Sequence, residues 1–234
     1  LRKIQQILSF LVLLPLFFQA QDGPVVVDNK PIVFSAHIGI PKTITSNKFR
    51  NSFNGFYEAD VSINFKLVNN FYAGIGYKRT DLQNNKFLKQ KVFNASIPYN
   101  THFISDCPFV KLSFDKFFKE NAYINYSIQY GYMISKFTDV NEDTTSANKP
   151  YGKTNFNSHY IEPHISANFI VDKTMSSPLV FSVFLGYTTL FYKFDPKAPR
   201  FNQFEQELGD KSNNYFMSWI TFGFGIKVLI GKNK

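Results

Sequence analysis

Apolar and polar residues alternate one for one along much of this chain, and the alternation marks out its strands. From Tyr215 to Ile230, Phe216, Ile220, Phe222, Phe224, Ile226, Val228 and Ile230 share one parity, while Trp219, Thr221, Gly223, Gly225 and Lys227 share the other. In Tyr57–Leu67 the odd positions Val61, Ile63, Phe65 and Leu67 oppose Glu58, Asp60, Ser62, Asn64 and Lys66. A period of two is that of an extended strand with one oily side. The same pattern, with varying regularity, covers Ile32–Ile40, Phe71–Lys78, Ile104–Asp115, Asn121–Phe137, His159–Asp172 and Pro178–Phe194, giving eight segments. The polar side of such a strand needs water or partners. The oily side needs a partner sheet or lipid.

The connections decide between these. Those after the second, fourth and sixth segments are short: Val68–Asn70, Lys116–Glu120 and Lys173–Ser177. Those after the first, third, fifth and seventh are long and polar: Pro41–Asn54, Arg79–Phe103, Thr138–Asn155 and Asp195–Asn214. Short turns at one rim and long loops at the other belong to outer-membrane barrels, with both termini on the short-turn, periplasmic side and the long loops extracellular. A backbone crossing hydrocarbon must satisfy every N–H and C=O internally, so strands can cross only as a closed sheet. The sequence therefore predicts an all-β fold, a closed antiparallel up-and-down transmembrane β-barrel of eight strands over residues 31–234. Tyr57, Phe71, Tyr77, Phe137, Phe191, Tyr215 and Phe216 cluster at the segment ends, as aromatic girdles would.

Three places strain the pattern. Pro108 and Pro163 each remove a ladder hydrogen bond inside a segment, so bulges are expected there. Asp106 has the outward parity of Val110 and Leu112, and a register shift at Pro108 would relieve it. Phe87–Tyr99 has weak strand character of its own, which raises the prospect of a projecting hairpin in the second long loop.

Composition agrees with the strand reading. With 28 Phe and 13 Tyr, 18% of the residues are aromatic, and such residues favour strands. Residues 1–20 read as a secretory signal: Arg2 and Lys3, a short apolar run from Ile7 to Phe18, then Ala20 as a small residue suited to cleavage. Residues 21–30 would form a short periplasmic segment, and no later stretch is apolar for long enough to span a bilayer as a helix.

The formal charge of +9 is unevenly placed. Lys42, Lys48, Arg50, Lys78, Arg79, Lys86, Lys89 and Lys91 stand in or beside the first two long loops against Asp81 alone. Lys42, Lys48, Arg50, Lys86, Lys89 and Lys91 are candidate contacts for lipopolysaccharide phosphates, since clustered cations bind anionic headgroups. A nucleic-acid partner is excluded by export and by the lack of any recognition motif. On the polar parity, Glu58, Asp60, Lys66, Lys111, Glu162, His164 and Lys227 form a candidate lumen network, joined by Lys78 and Asp115. An eight-stranded lumen is filled by side chains, so these charges should pair as a structural network; a narrow ligand or proton path is the alternative.

Catalytic and metal chemistry find little to stand on. His159, Glu162 and His164 lie close in sequence, but on a strand His159 faces away from the other two, so no metal site is assigned. Ser158 beside His159 is the pairing an outer-membrane lipid-modifying enzyme would use, and adjacent strand residues point apart. Asp139–Asp143 begins like a calcium loop but lacks its glycine and its closing glutamate. Cys107 is the lone cysteine and reads as a packed residue. No cofactor is expected.

Phe71-Tyr72-Ala73-Gly74-Ile75-Gly76-Tyr77 and Phe222-Gly223-Phe224-Gly225-Ile226-Lys227 give the chain its family likeness. It resembles small bacterial outer-membrane barrels of the OmpA-domain and OmpX type, and the Phe/Tyr/Asn/Lys-rich outer-membrane β-barrel proteins of Bacteroidota-type envelopes. That resemblance implies insertion by barrel-assembly machinery, although the last strand here runs into Lys232-Asn233-Lys234 in place of a terminal aromatic. The expected role is non-enzymatic: a structural or interaction barrel whose loops contact lipopolysaccharide or a partner protein, or an accessory subunit of an envelope or secretion complex. A soluble lipocalin-like carrier has the same strand count, with its apolar faces turned inward.

Overall fold

The computed structural model describes residues 30–45, 47–84, 89–92, 95–98, 101–139, 155–171, 177–192 and 216–231. The expected signal segment and Asp195–Asn214 fall outside them. In chain order the elements are β1 (Ile32–Thr43), α1 (Asn47–Ser52), β2 (Phe53–Val68), β3 (Phe71–Asn84), β4 (Lys89–Val92), β5 (Ala95–Pro98), β6 (Thr101–Lys119), β7 (Ala122–Asp139), β8 (Asn155–Ile170), β9 (Leu179–Leu190) and β10 (Met217–Ile230).

Eight of these strands close into an antiparallel barrel in the order β1-β10-β9-β8-β7-β6-β3-β2. Closure runs through β1 and β10, from Ile32 opposite Ile230 to Thr43 opposite Trp219. β4 and β5 form a separate hairpin, the one anticipated at Phe87–Tyr99. β6 and β7 have 19 and 18 residues, well beyond the roughly 9–11 a tilted strand needs to cross a bilayer. Their loop ends therefore extend past any membrane the barrel spans.

Parity falls as the alternation requires. Val61, Phe65, Ile75, Val110, Ile134, Phe222 and Phe224 are exposed on the outside, while Glu58, Asp60, Lys111, Glu162 and Lys227 are buried inside. This is the reverse of a lipocalin-like carrier, whose apolar side chains would line a cavity. It is the distribution of a barrel wrapped in hydrocarbon.

The two prolines cause no register shift. β6 keeps one register against β7 on both sides of Cys107 and Pro108, and β8 keeps one against β9 across Glu162 and Pro163; in each case the pairing simply lapses at those two residues. The shifts lie elsewhere, at Gly55/Tyr57, Lys66/Val68 and Phe117/Lys119. Proline is tolerated because each donor-less nitrogen sits in a lapsed stretch of ladder, with the other side of its strand still paired in register.

The lumen is layered. At the loop end, the segment expected as an open loop over Pro41–Asn54 instead continues β1 to Thr43 and then forms α1, which turns inward. Phe49 of α1 is fully buried against Phe53, Phe103 and Trp219, with ring centroids 5.7, 6.3 and 6.5 Å away. Phe137, expected in a girdle, has inward parity and stacks on Phe53 in the same plug. At the short-turn end Val33, Tyr72, Tyr123, Val180 and Leu229 form a second apolar layer. Ionic side chains lie between the two. Truncation of the plug, Phe49→Ala, should weaken α1 docking by about 3–5 kcal/mol. Protease cleavage within α1 should then accelerate by about two to four orders of magnitude, with the barrel itself still folded.

Candidate functional site

The centre of the ionic layer is built by the inward positions of β2, β3, β8, β9 and β10. Lys78 is its centre: fully buried, it donates to Glu162 Oε2 in a short hydrogen bond and lies 3.7 Å from Glu58 Oε1. Each carboxylate has further donors. Glu58 Oε2 accepts from Thr80 Oγ1 at 3.0 Å and from Trp219 Nε1 at 2.8 Å, and Glu162 Oε2 accepts from Thr188 Oγ1. One cation is thus held by two carboxylates that also accept hydrogen bonds from three other positions. Such satisfaction is what lets ions stay buried.

Toward the short-turn end the charges are less tightly paired. His37 Nδ1 is 3.0 Å from Asp60 Oδ1, and its ring packs edge-on to Phe184 and 5.6 Å from the His164 ring. Asn125 Nδ2 donates to Asp115 Oδ1 at 2.6 Å. Lys227 donates to Ser166 Oγ at 3.4 Å and stands 5.7 Å over the Tyr123 ring. Lys111 and Lys227 have no carboxylate within 4 Å among the described residues. The space they share with Asn64 and Asp115 is about 10 Å³, no more than one water needs. Among the described residues the lumen is packed at this level.

Of the predicted lumen set, Glu58, Asp60, Lys111, Glu162, His164 and Lys227 are brought together inside the barrel. Lys66 is not: it is half-buried at the short-turn end of β2, beside the register shift at Val68. Lys78, counted with the basic loops as well as with the lumen, belongs to the lumen alone. His37, Thr80, Thr188 and Trp219 were not singled out, though all share the inward parity of their strands; parity was the signal that could have found them.

On the outer wall, Asp106 keeps its outward parity without any bulge. Tyr77 donates its hydroxyl to Asp106 Oδ1 at 2.5 Å, and Arg79 Nη1 does so at 3.3 Å. Cross-strand neutralisation thus replaces the expected register shift. His159 is also on the outer wall, stacked on Tyr130 with its Nδ1 3.0 Å from the Tyr130 hydroxyl. Ser158 points inward and donates to the His159 carbonyl, so the two side chains lie on opposite faces and form no nucleophile–base pair. Among the described residues no group of three or more His, Cys, Asp or Glu is arranged to hold a metal ion.

The basic candidates are only partly in view. Lys42 and Arg50 are exposed at the loop end. The side chains of Lys48, Lys89 and Lys91, and all of Lys86, lie outside the described residues, as does the acidic run after Asp139.

A closed eight-stranded antiparallel barrel, oily outside and ionic inside, defines the class of small membrane-spanning β-barrels. No protein-family model and no curated protein sequence matches the chain. Among solved structures it is similar to small outer-membrane barrels. Neisserial surface protein A gives a TM-score of 0.46 at 11% identity, over 86% of this chain and 97% of that one. Ail of Yersinia pestis, in complex with the heparin analogue sucrose octasulfate, gives 0.42 at 10%, over 84% and 97%. OprG of Pseudomonas aeruginosa gives 0.40 at 9%, over 86% and 97%. At these identities the likeness concerns the fold.

Proposed function

We propose that this chain is a non-enzymatic outer-membrane barrel that acts through its outer surfaces, with its termini periplasmic and its long loops extracellular. The observation that carries this reading is the inverted burial: exposed Phe, Ile, Val and Leu encircle the wall, while the lumen is filled by charges, hydroxyls and aromatic plugs. A filled lumen leaves no room for a substrate, and an oily wall is stable only in lipid. Surface contacts at the loop end are what remains for function. The basic crown of Lys42, Lys48, Arg50, Lys86, Lys89 and Lys91 is suited to lipopolysaccharide phosphates, or to an acidic partner protein in an envelope or secretion complex.

Two measurements test this. The chain should fractionate with the outer membrane, require detergent for extraction and migrate differently on gels before and after heating; a freely soluble monomer would overturn the membrane reading. Replacing Lys86, Lys89 and Lys91 by Glu should weaken binding to lipid A by about tenfold or more, since each juxtamembrane cation contributes on the order of 1 kcal/mol. Unchanged affinity would remove the crown from the headgroup role and leave the barrel reading intact.

A further inference from the structure

The outer wall is not evenly convex. An open, shallow furrow of about 720 Å³ crosses it from Phe34 on β1 to His159 on β8. Phe34 is near the short-turn end of its strand and His159 near the loop end of its own, so the furrow runs diagonally across the oily belt. Within it Pro108 of β6 stands opposite Tyr77 of β3, with Tyr130 and Tyr132 of β7 on its other side. Val61, Ile63, Ile75 and Val110 line the rest of it with hydrocarbon.

Only the loop end is polar. There the Tyr130 hydroxyl occupies His159 Nδ1 and leaves Nε2 without a partner among the described residues. Tyr77 leads to Arg79, which is 46% exposed at its side chain; Asp106 and Tyr57 engage part of its five-donor fork. Lys136 is exposed on the outward face of β7, closer to the loops than Tyr132. An oily channel with cationic and N–H donors at one end fits an amphiphile whose chain lies in the channel and whose head is an anion. Because the polar end is the loop end, the lipid comes from the leaflet on the loop side.

The geometry points to a resident lipid site: one acyl chain of a phosphorylated outer-leaflet glycolipid, lipid A, lies in the loop-side part of the furrow, over Ile75, Pro108, Val110 and Tyr130, with its phosphorylated head at the loop end, where Arg79 and Lys136 are exposed. This inference rests on the outer-membrane reading and gives it a second, wall-borne contact in addition to the loop lysines.

The test is native mass spectrometry of the detergent-extracted full chain after exchange into lipid A. Wild-type barrel should retain one lipid A. Filling the furrow with Val110→Trp, or independently Ile75→Trp, should reduce retention by tenfold or more, and so should the pair Arg79→Gln with Lys136→Gln. Leu185→Trp, exposed on β9 outside the furrow, should leave it unchanged. Phosphatidylglycerol should be retained at least tenfold more weakly. Heat-modifiable migration identifies the folded variants to be compared. Undiminished retention in a folded furrow-filled variant overturns the site, as does equal loss in Leu185→Trp; equal retention of phosphatidylglycerol overturns lipid A as its occupant. A chain that needs no detergent instead overturns the membrane reading beneath it.

Discussion

Lys78→Met is expected to destabilise the barrel by about 3–5 kcal/mol, read as a lowered urea midpoint in micelles, because it removes the one cation held between Glu58 and Glu162. Both carboxylates are buried, so neither can be rehydrated in place. Thr80, Trp219 and Thr188 continue to donate to them, but neutral donors do not cancel two like charges. If the loss comes from uncompensated charge, adding Glu58→Gln and Glu162→Gln should restore most of it, since a buried ion cluster and a neutral replacement of similar volume often differ little. Lys111→Met is the contrasting case. Lys111 is equally buried yet has no carboxylate within 4 Å among the described residues, so its replacement should change stability by no more than about 1 kcal/mol. Equal losses at the two lysines would mean that packing of the aliphatic stem, and not the ion triad, holds this layer.

The difference between these lysines marks how far the sequence can be read. Strand parity placed Lys78, Lys111, Glu58 and Glu162 inside, because one residue of slip would send charges into the oily belt and so the register is strongly specified. Parity does not say which strands meet across a barrel. Lys78 reaches Glu58 on a neighbouring strand but Glu162 on β8, three places along the barrel order, and that encounter depends on lumen width and stagger. The plug escaped for another reason. α1 has six residues, too few for a helical period to show, and Phe49 is buried by the barrel mouth rather than by its own pattern. Asp106 and Pro108 misled because local rules favoured a bulge; the structure met one problem with the Arg79 and Tyr77 contacts and the other with a lapse in pairing.

Two inward glycines on β10 should respond very differently to a side chain, although they stand two residues apart. A Cβ on Gly223 would lie 2.1 Å from the Ile38 carbonyl oxygen and 2.5 Å from the Gly39 Cα, both backbone atoms of β1. β1 and β10 are the strands that close the barrel, with Gly39 opposite Gly223, so the clash can be relieved only by pushing the seam apart. Gly223→Val is therefore expected to cost 3 kcal/mol or more, at or above the upper end of the roughly 1–3 kcal/mol usual for overpacking, and to abolish the compact band in unheated gels. On Gly225 the nearest atoms are the His37 Cδ2 at 2.1 Å and the Ser182 Oγ at 2.7 Å, with the Ala36 carbonyl oxygen farther away at 2.9 Å. Here the missing side chain mainly makes room for the imidazole that pairs with Asp60. Gly225→Ala should cost about 1–3 kcal/mol. His37→Ala, combined with Asp60→Asn so that no lone carboxylate stays buried, should recover much of that loss, whereas no side-chain truncation should rescue Gly223→Val. Rescue of both, or of neither, would show that the seam and the lumen are not separately packed. Rescue of Gly225 alone ties the first and last strands to the ionic layer by one stated contact, the histidine that the glycine admits.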